Sequence, residues 1–270
     1  MYKYFSFFVF LFLLFFNSCS QDEEEIAAIS FLELETSKTS VFSDESITVT
    51  INGLNYSDFN VDSNILSEKL TVEKIAKNVV EISATEAVSG RVYITLVNEN
   101  GDLSNAKNIS VEFVEHGVVD GKTVEGIRID KDKREKVISL LGEPDDIFVS
   151  SDSGYEYLYY LNLGVAFQLS NNIVGSATLY SSNYFRTIDG VKTYYVNYPY
   201  ELPYGWKIRQ TTMDTVIETL GVPDEKSSSL DTNERVLRSY RFDSLRFWIR
   251  FYSEDENDYS GETIRSMSIY

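Results

Sequence analysis

The chain has 270 residues, and 42 acidic against 24 basic side chains give a formal net charge of −18 at neutral pH. A polyanion is repelled by phosphate backbones and anionic lipid alike, which argues against nucleic acid as a partner and against a broad electrostatic hold on a membrane. One histidine and one cysteine make Ser–His and Cys–His chemistry poorly supplied and leave no ligand set for structural zinc, so no catalytic residue, metal or cofactor is expected.

The first element is an apolar run. Lys3 is the only charge ahead of Cys19, and every residue from Phe5 to Phe16 except Ser6 is apolar. Spanning a bilayer takes about 20 residues, so the run is too short to cross, but it suits the core of a secretory signal, with the small Ser18 before the cut. Residues 1–18 resemble a bacterial lipoprotein signal, although Phe16 and Asn17 stand where that pattern has Leu and a small residue. The resemblance implies that Cys19 carries the lipid. Its acyl chains, at about 0.8 kcal/mol per buried methylene, would anchor the protein to the outer membrane, on the periplasmic face or the cell surface. Residues 19–25 form a tether in which Asp22–Glu25 repel one another and stay extended. This acidic cluster resembles the surface-export signal of Bacteroidota lipoproteins; a solvated spacer is the alternative.

Residues 26–115 read as all-β. "SITVTINGLNY" and "GRVYITLVNENG" alternate apolar and polar residues with β-branched enrichment. Asn52-Gly53 and Asn100-Gly101 mark tight turns, and short strands at this spacing predict a β-sandwich. The stretches Thr48–Gly53 and Ser89–Thr95 resemble an IPT/TIG immunoglobulin-like domain, which implies a spacer or a protein- or sugar-binding module. His116, beside Gly117, falls at the junction that follows and reads as a solvated linker residue.

The rest of the chain contains a duplication. Gly126–Asp145 laid over Gly205–Asp224 gives eight identities in twenty positions. Asp132 and Thr211 are placed as helix N-caps, Asp132 with Glu135 as a capping-box-like pair. Val137, Ile138 and Leu141, like Val216, Ile217 and Leu220, make one apolar helix face. Gly142 and Gly221 suit the left-handed position beyond the helix, and Pro144 and Pro223 prevent its continuation. Strands are expected at about Tyr155–Leu161, Val165–Leu169 and Ile173–Tyr180, and at Val236–Phe242, Leu245–Tyr252 and Thr263–Tyr270. The predicted fold class is therefore multidomain: an all-β Ig-like sandwich, then an α+β tandem repeat of one helix plus a three-stranded antiparallel meander, twice. The copies occupy residues 116–180 and 205–270, joined by an aromatic connector at 181–204. This unit resembles the small α+β lipoproteins of outer-membrane assembly, of the SmpA/OmlA type, and the β-lactamase inhibitory protein. That resemblance implies a protein partner rather than a reaction.

Period-two alternation puts Leu245, Phe247, Ile249 and Phe251 on one strand face and Arg246, Trp248, Arg250 and Tyr252 on the other. Arg, Trp and Tyr dominate binding hot spots, so this row is a candidate surface. Tyr155, Tyr157 and Tyr159 share a face of their strand and form a second aromatic set; the connector Tyr194–Trp206 is a third. The loop Ser253–Glu262 is dense in oxygen ligands but lacks EF-hand spacing. Acids follow each proline, Asp145-Asp146 and Asp224-Glu225. These features describe a non-enzymatic, lipid-anchored envelope protein whose tandem domain binds another protein. One alternative is a glycan-binding surface lipoprotein beside an outer-membrane transporter; the other is a hydrolase using two facing carboxylates.

Overall fold

The computed structural model describes residues 28–230, 235–253 and 259–270. The signal, Cys19, the acidic tether and the centre of the Ser253–Glu262 loop lie outside the described residues.

The first eight strands are β1 (Ser30–Thr36), β2 (Ser40–Phe42), β3 (Ser46–Leu54), β4 (Asp58–Ser63), β5 (Leu70–Ala76), β6 (Val79–Ala84), β7 (Val88–Val97) and β8 (Lys107–Val114). They form two four-stranded sheets, ordered β1-β3-β6-β5 and β2-β8-β7-β4. Alternation drives the pairing of the sheets: Ile47, Val49 and Ile51 of β3 and Val92, Ile94 and Leu96 of β7 turn inward into one core. The order matches an immunoglobulin sandwich, with β2 running parallel to β8. The expected turn at Asn52-Gly53 is not one. Both residues lie in β3, where a Cβ on Gly53 would sit 2.6 Å from the Leu96 side chain. The chain turns just beyond, at Asn55 with φ 58°.

A small sheet of β9 (Val118–Val119), β10 (Thr123–Val124) and β11 (Ile127–Arg128) follows. Next come α1 (Arg134–Leu141), β12 (Asp146–Val149), β13 (Glu156–Tyr160), β14 (Val165–Ser170) and β15 (Ile173–Tyr180). A hairpin of β16 (Phe185–Ile188) and β17 (Val191–Tyr194) leads to α2 (Met213–Leu220). The chain ends with β18 (Glu225–Leu230), β19 (Val236–Phe242), β20 (Phe247–Tyr252) and β21 (Ser266–Ile269).

The predicted α+β tandem of a helix and three strands is overturned. The described residues are mostly β, 51% strand against 11% helical, with two α-helices among them. Each half contributes four strands rather than three. The halves fuse into one eight-stranded sheet, ordered β12-β13-β14-β15-β21-β20-β19-β18. The fusion pairs Ala177–Tyr180 of β15 with Ser266–Ile269 of β21. The reason is physical. One eight-residue helix covers little of a meander, whereas joining the two inner edges satisfies their backbone groups and merges two thin apolar faces into one core. That core holds Val137 and Leu140 of α1, Met213 and Val216 of α2, and the inward residues Leu158, Phe167, Leu179, Phe247, Ile249, Phe251, Met267 and Ile269. The outer strand β18, "EKSSSL", is exposed at every position and has no apolar alternation to announce it.

The helix ends also differ in detail. The N-cap of α1 is Lys133, which makes no side-chain cap bond, while Asp132 accepts from the Arg128 backbone N–H at 2.8 Å. Thr212, not Thr211, caps α2 by accepting from the Thr215 N–H at 3.3 Å. Gly142 and Gly221 have φ of 81° and 79°, but their ψ of −171° and −155° lies in the extended region open essentially to glycine alone, not in the left-handed helical well.

His116 is no solvated linker. Its ring stacks between Phe42 of the sandwich, at 3.7 Å, and Tyr200, at 4.4 Å. Its Nδ1 lies 2.8 Å from Oε2 of Glu125, whose side chain is 0% exposed. Glu125 Oε1 accepts from the Gly117 N–H at 3.0 Å and from the Tyr198 hydroxyl. Burial, then the Glu125 charge, raise the Tyr198 pKa, so that hydroxyl keeps its proton and remains the donor. Nearby, Lys136 of α1 pairs with Glu112 of β8, which also accepts from Ser40 of β2. The sandwich and the larger sheet thus meet through a polar seam.

Candidate functional site

Both helices pack on one face of the eight-stranded sheet, so its residues alternate between that core and the opposite, open face. Register fixes which residues share the open face. Across successive strands Tyr159 pairs with Ala166, Ala166 with Thr178, Thr178 with Ser268, Ser268 with Trp248 and Trp248 with Arg241. Parallel rows pair Tyr157 with Gln168 and Gln168 with Ser176, and Tyr180 with Ser266, Ser266 with Arg250 and Arg250 with Ser239. The middle of the face is therefore small and polar, and bulky rings and guanidinium groups stand on either side.

That difference in side-chain height leaves a groove of about 540 Å³, lined by Tyr157, Gln168, Ser176, Thr178, Tyr180, Arg241, Asp243, Trp248, Arg250, Ser268 and Tyr270. Its floor is tied across the fusion: Thr178 Oγ1 and Ser268 Oγ are 2.9 Å apart, and Arg250 Nη1 donates to Ser268 Oγ at 3.3 Å. Ser176 donates to Gln168 Oε1 at 3.0 Å. The Arg250 guanidinium lies 5.9 Å from the Trp248 ring, within cation–π range. At one end Tyr270 donates to Asp243 Oδ1 at 2.9 Å, while Arg241 pairs with Glu225 and Asp243, each at 2.8 Å. Burial pushes the Tyr180 pKa up to about 12, with Arg250 pulling the other way, so Tyr180 offers a neutral hydroxyl.

The sequence-predicted residues divide. Trp248 and Arg250 are half-buried on β20 and meet Tyr157 in the groove. Arg246 is not on the strand: it ends a short 3-10 turn, Asp243–Leu245, at φ 59° and binds Asp130 at 2.7 Å. Leu245, expected to lead the buried row, belongs to that turn and is only partly buried. Tyr252 lies beyond the groove, its hydroxyl accepting from Arg235 Nη2 at 2.9 Å. Tyr155 precedes β13 and is 37% exposed, outside the groove. Tyr159 is buried, with the Arg186 guanidinium 4.1 Å above its ring and Tyr195 in the same small cluster. The connector supplies core more than surface: Tyr195, Tyr198, Leu202 and Trp206 are buried, and Tyr194 and Tyr204 are exposed. Sequence reasoning does not reach Tyr180, Tyr270 or Arg241. Period two puts Tyr180 on the correct face, but nothing local places it beside β21.

The acids after each proline serve the backbone and the ion pairs of the sheet rim. Asp145 accepts from the Leu161 N–H at 2.6 Å and Asp224 from the Asp243 N–H at 2.7 Å. Asp146 pairs with Arg186 at 2.9 Å. Among the described residues no group of three or more His, Cys, Asp or Glu side chains is placed to hold a metal ion. A second depression, of about 690 Å³, lies on the sandwich beside Asn52, Asn55 and Tyr56, with Glu33 and Lys77 as its charged lining residues.

No family model matches the chain. No curated protein matches it in sequence. Among solved structures it is similar to the D00-D0 domain of Intimin, at 9% identity over 88% of this chain and 99% of that one, with a TM-score of 0.30. A likeness that slight carries no argument about function.

Proposed function

We propose that the chain is a non-enzymatic, lipid-anchored protein of the bacterial outer membrane that binds another protein through the open face of its eight-stranded sheet. In this reading the Ig-like sandwich is a spacer between Cys19 and the binding unit. One observation carries it: half-buried Trp248 and Tyr157 share a groove with Arg241 and Arg250, all held on paired strands. Mixed aromatic and arginine surfaces on rigid elements are the usual hot-spot material of protein interfaces. A glycan platform would offer bare coplanar rings. The Tyr157–Tyr159 pair is near-parallel, 6.1 Å apart at 12°, but Tyr159 lies beneath Arg186. A hydrolase would need free facing carboxylates, and Asp145, Asp146, Asp224 and Glu225 are all engaged.

The test is affinity capture from envelope extracts with the chain lacking residues 1–18. Trp248→Ala should weaken capture of a specific protein by about 2 kcal/mol, roughly thirtyfold, while Leu103→Ser on the exposed sandwich surface should not. Equal capture by the wild type and Trp248→Ala refutes the surface. Processed Cys19→Ala that still partitions with membranes refutes the anchor.

A further inference from the structure

Among the described residues three arginines, Arg209, Arg250 and Arg265, make no ion pair, although the chain carries 42 carboxylates against 24 basic side chains, and Arg250 lines the groove. Among the described residues the Arg250 guanidinium of β20 donates to Ser268 Oγ. Arg209 is exposed and held by Ser182 Oγ at 3.3 Å and Asn183 Oδ1 at 3.2 Å. Arg265 has its guanidinium 5.6 Å from the Tyr252 ring, and its buried Nε has no hydrogen-bond partner. Among the described residues none of the three has a carboxylate within ion-pair distance, whereas Arg134, Arg186, Arg241 and Arg246 each have one.

They are also neighbours. The Arg265 backbone N–H donates to the Arg250 carbonyl at 2.8 Å, and the Arg209 N–H donates to the Ile264 carbonyl at 2.8 Å. Three adjacent backbone segments therefore carry the three arginines, and Arg209 and Arg265 are close enough for one charge to act on the other. Burial first, and then the Arg209 charge, pull the Arg265 pKa below its ordinary value, while the Glu262 charge pushes it the other way. Arg209 is held at φ 64°, a conformation uncommon for a side chain of that kind. Arginines left without carboxylates in a polyanion, two of them half-buried, are relieved by an anionic partner.

We infer that these arginines are the specificity element of the binding face and that they seat side-chain carboxylates of an acidic polypeptide segment, whose apolar residues enter the groove beside Trp248. The inference rests on the protein-binding reading of the groove. Guanidinium forks match carboxylates bidentately, which lysines at the same positions could not do. Rings already faced by guanidinium groups, Trp248 by Arg250 and Tyr252 by Arg235 at 4.1 Å, leave less bare surface for a stacked sugar.

The test is fluorescence polarisation of the full chain with three labelled probes: an alternating Glu-Phe decapeptide, its Gln-Phe counterpart, and an oligogalacturonate. The Glu-Phe peptide should bind at least about tenfold more tightly than Gln-Phe, and the advantage should shrink as salt rises from about 50 to about 500 mM. Arg250→Gln and Arg209→Asn should each remove most of that advantage. Asn tolerates the positive φ at 209, and Arg250→Lys controls for folding while keeping the charge. Equal binding of the two peptides, or an advantage unmoved by both substitutions, overturns the inference. If Trp248→Ala still weakens both peptides in that case, the groove reading survives without it. Arginine-dependent binding of oligogalacturonate alone overturns the polypeptide class, and binding of none of the probes overturns the inference outright.

Discussion

Glu125 offers a sharp test of how the two units are joined. Its carboxylate is fully buried and takes donors from the Gly117 backbone, the Tyr198 hydroxyl and the His116 ring. Glu125→Ala deletes the acceptor and leaves those donors behind. The Gly117 N–H and the 3%-exposed Tyr198 hydroxyl cannot reach water, and each buried unsatisfied donor costs about 1–3 kcal/mol. His116, 24% exposed, can rehydrate and is left out of the sum. The backbone at Glu125 has φ 49°, strained alike for Glu and Ala, so that contribution cancels. The expected loss is about 3–5 kcal/mol, the range for breaking a buried pair. Glu125→Gln keeps an oxygen for the two buried donors and should lose about half as much, by the same accounting. Tyr198→Phe removes one donor to a charge and should cost about 1.5–3 kcal/mol. The assay is urea unfolding followed by Trp206 emission in a Trp248→Phe background, since Trp206 is buried in the same core as Tyr198. A Glu125→Ala variant within about 1 kcal/mol of its parent would mean that the site is hydrated and the reasoning wrong.

Adjacent residues on β20 should behave oppositely: Phe247→Ala, at 2% exposure, should cost about 3–5 kcal/mol in chemical unfolding, and Trp248→Ala about 1. Equal costs would contradict the face assignment. Gly142→Ala and Gly221→Ala should each cost about 1–3 kcal/mol from backbone strain alone, because nothing lies within 4 Å of either added Cβ; neutral variants in thermal melts would refute the helix-stop argument. Glu112 should make the seam acid-labile. Burial raises its pKa, but the Lys136 and Ser40 hydrogen bonds outweigh burial, and the folded value falls below 4.5. A depressed carboxylate pKa contributes stability above pH 4.5 that is lost as pH falls through the folded value, so wild-type and Glu112→Gln stabilities should converge there. Curves that stay parallel down through that acid range would dismiss the pair.

Local pattern is enough wherever a residue's choice is binary. Period two admits two assignments, and Phe247, Ile249 and Phe251 settle which side of β20 faces the core, so the outward direction of Trp248 and Arg250 is legible in the sequence alone. The positive φ of Gly142 and Gly221 is legible for the same reason, since Leu-Gly-x-Pro leaves a helix nowhere else to go. What no local pattern encodes is the partner of an edge. The fusion of β15 to β21 sets Thr178 against Ser268, 90 residues later, and only that contact turns two half-faces into one groove holding both Tyr157 and Trp248. The same holds for β18, exposed throughout, which is a strand because β19 lies beside it and not because of its own composition. Buried polar groups follow this rule most strictly. His116 leaves its expected solvated place because Glu125, Phe42 and Tyr200 converge on it; likewise the exposed Arg209 and the half-buried Arg250 and Arg265 become neighbours because three separate backbone segments hydrogen-bond side by side. Apolar residues need only the right side of an element, whereas a charge needs a particular partner at a particular distance, and that distance exists only in the folded chain.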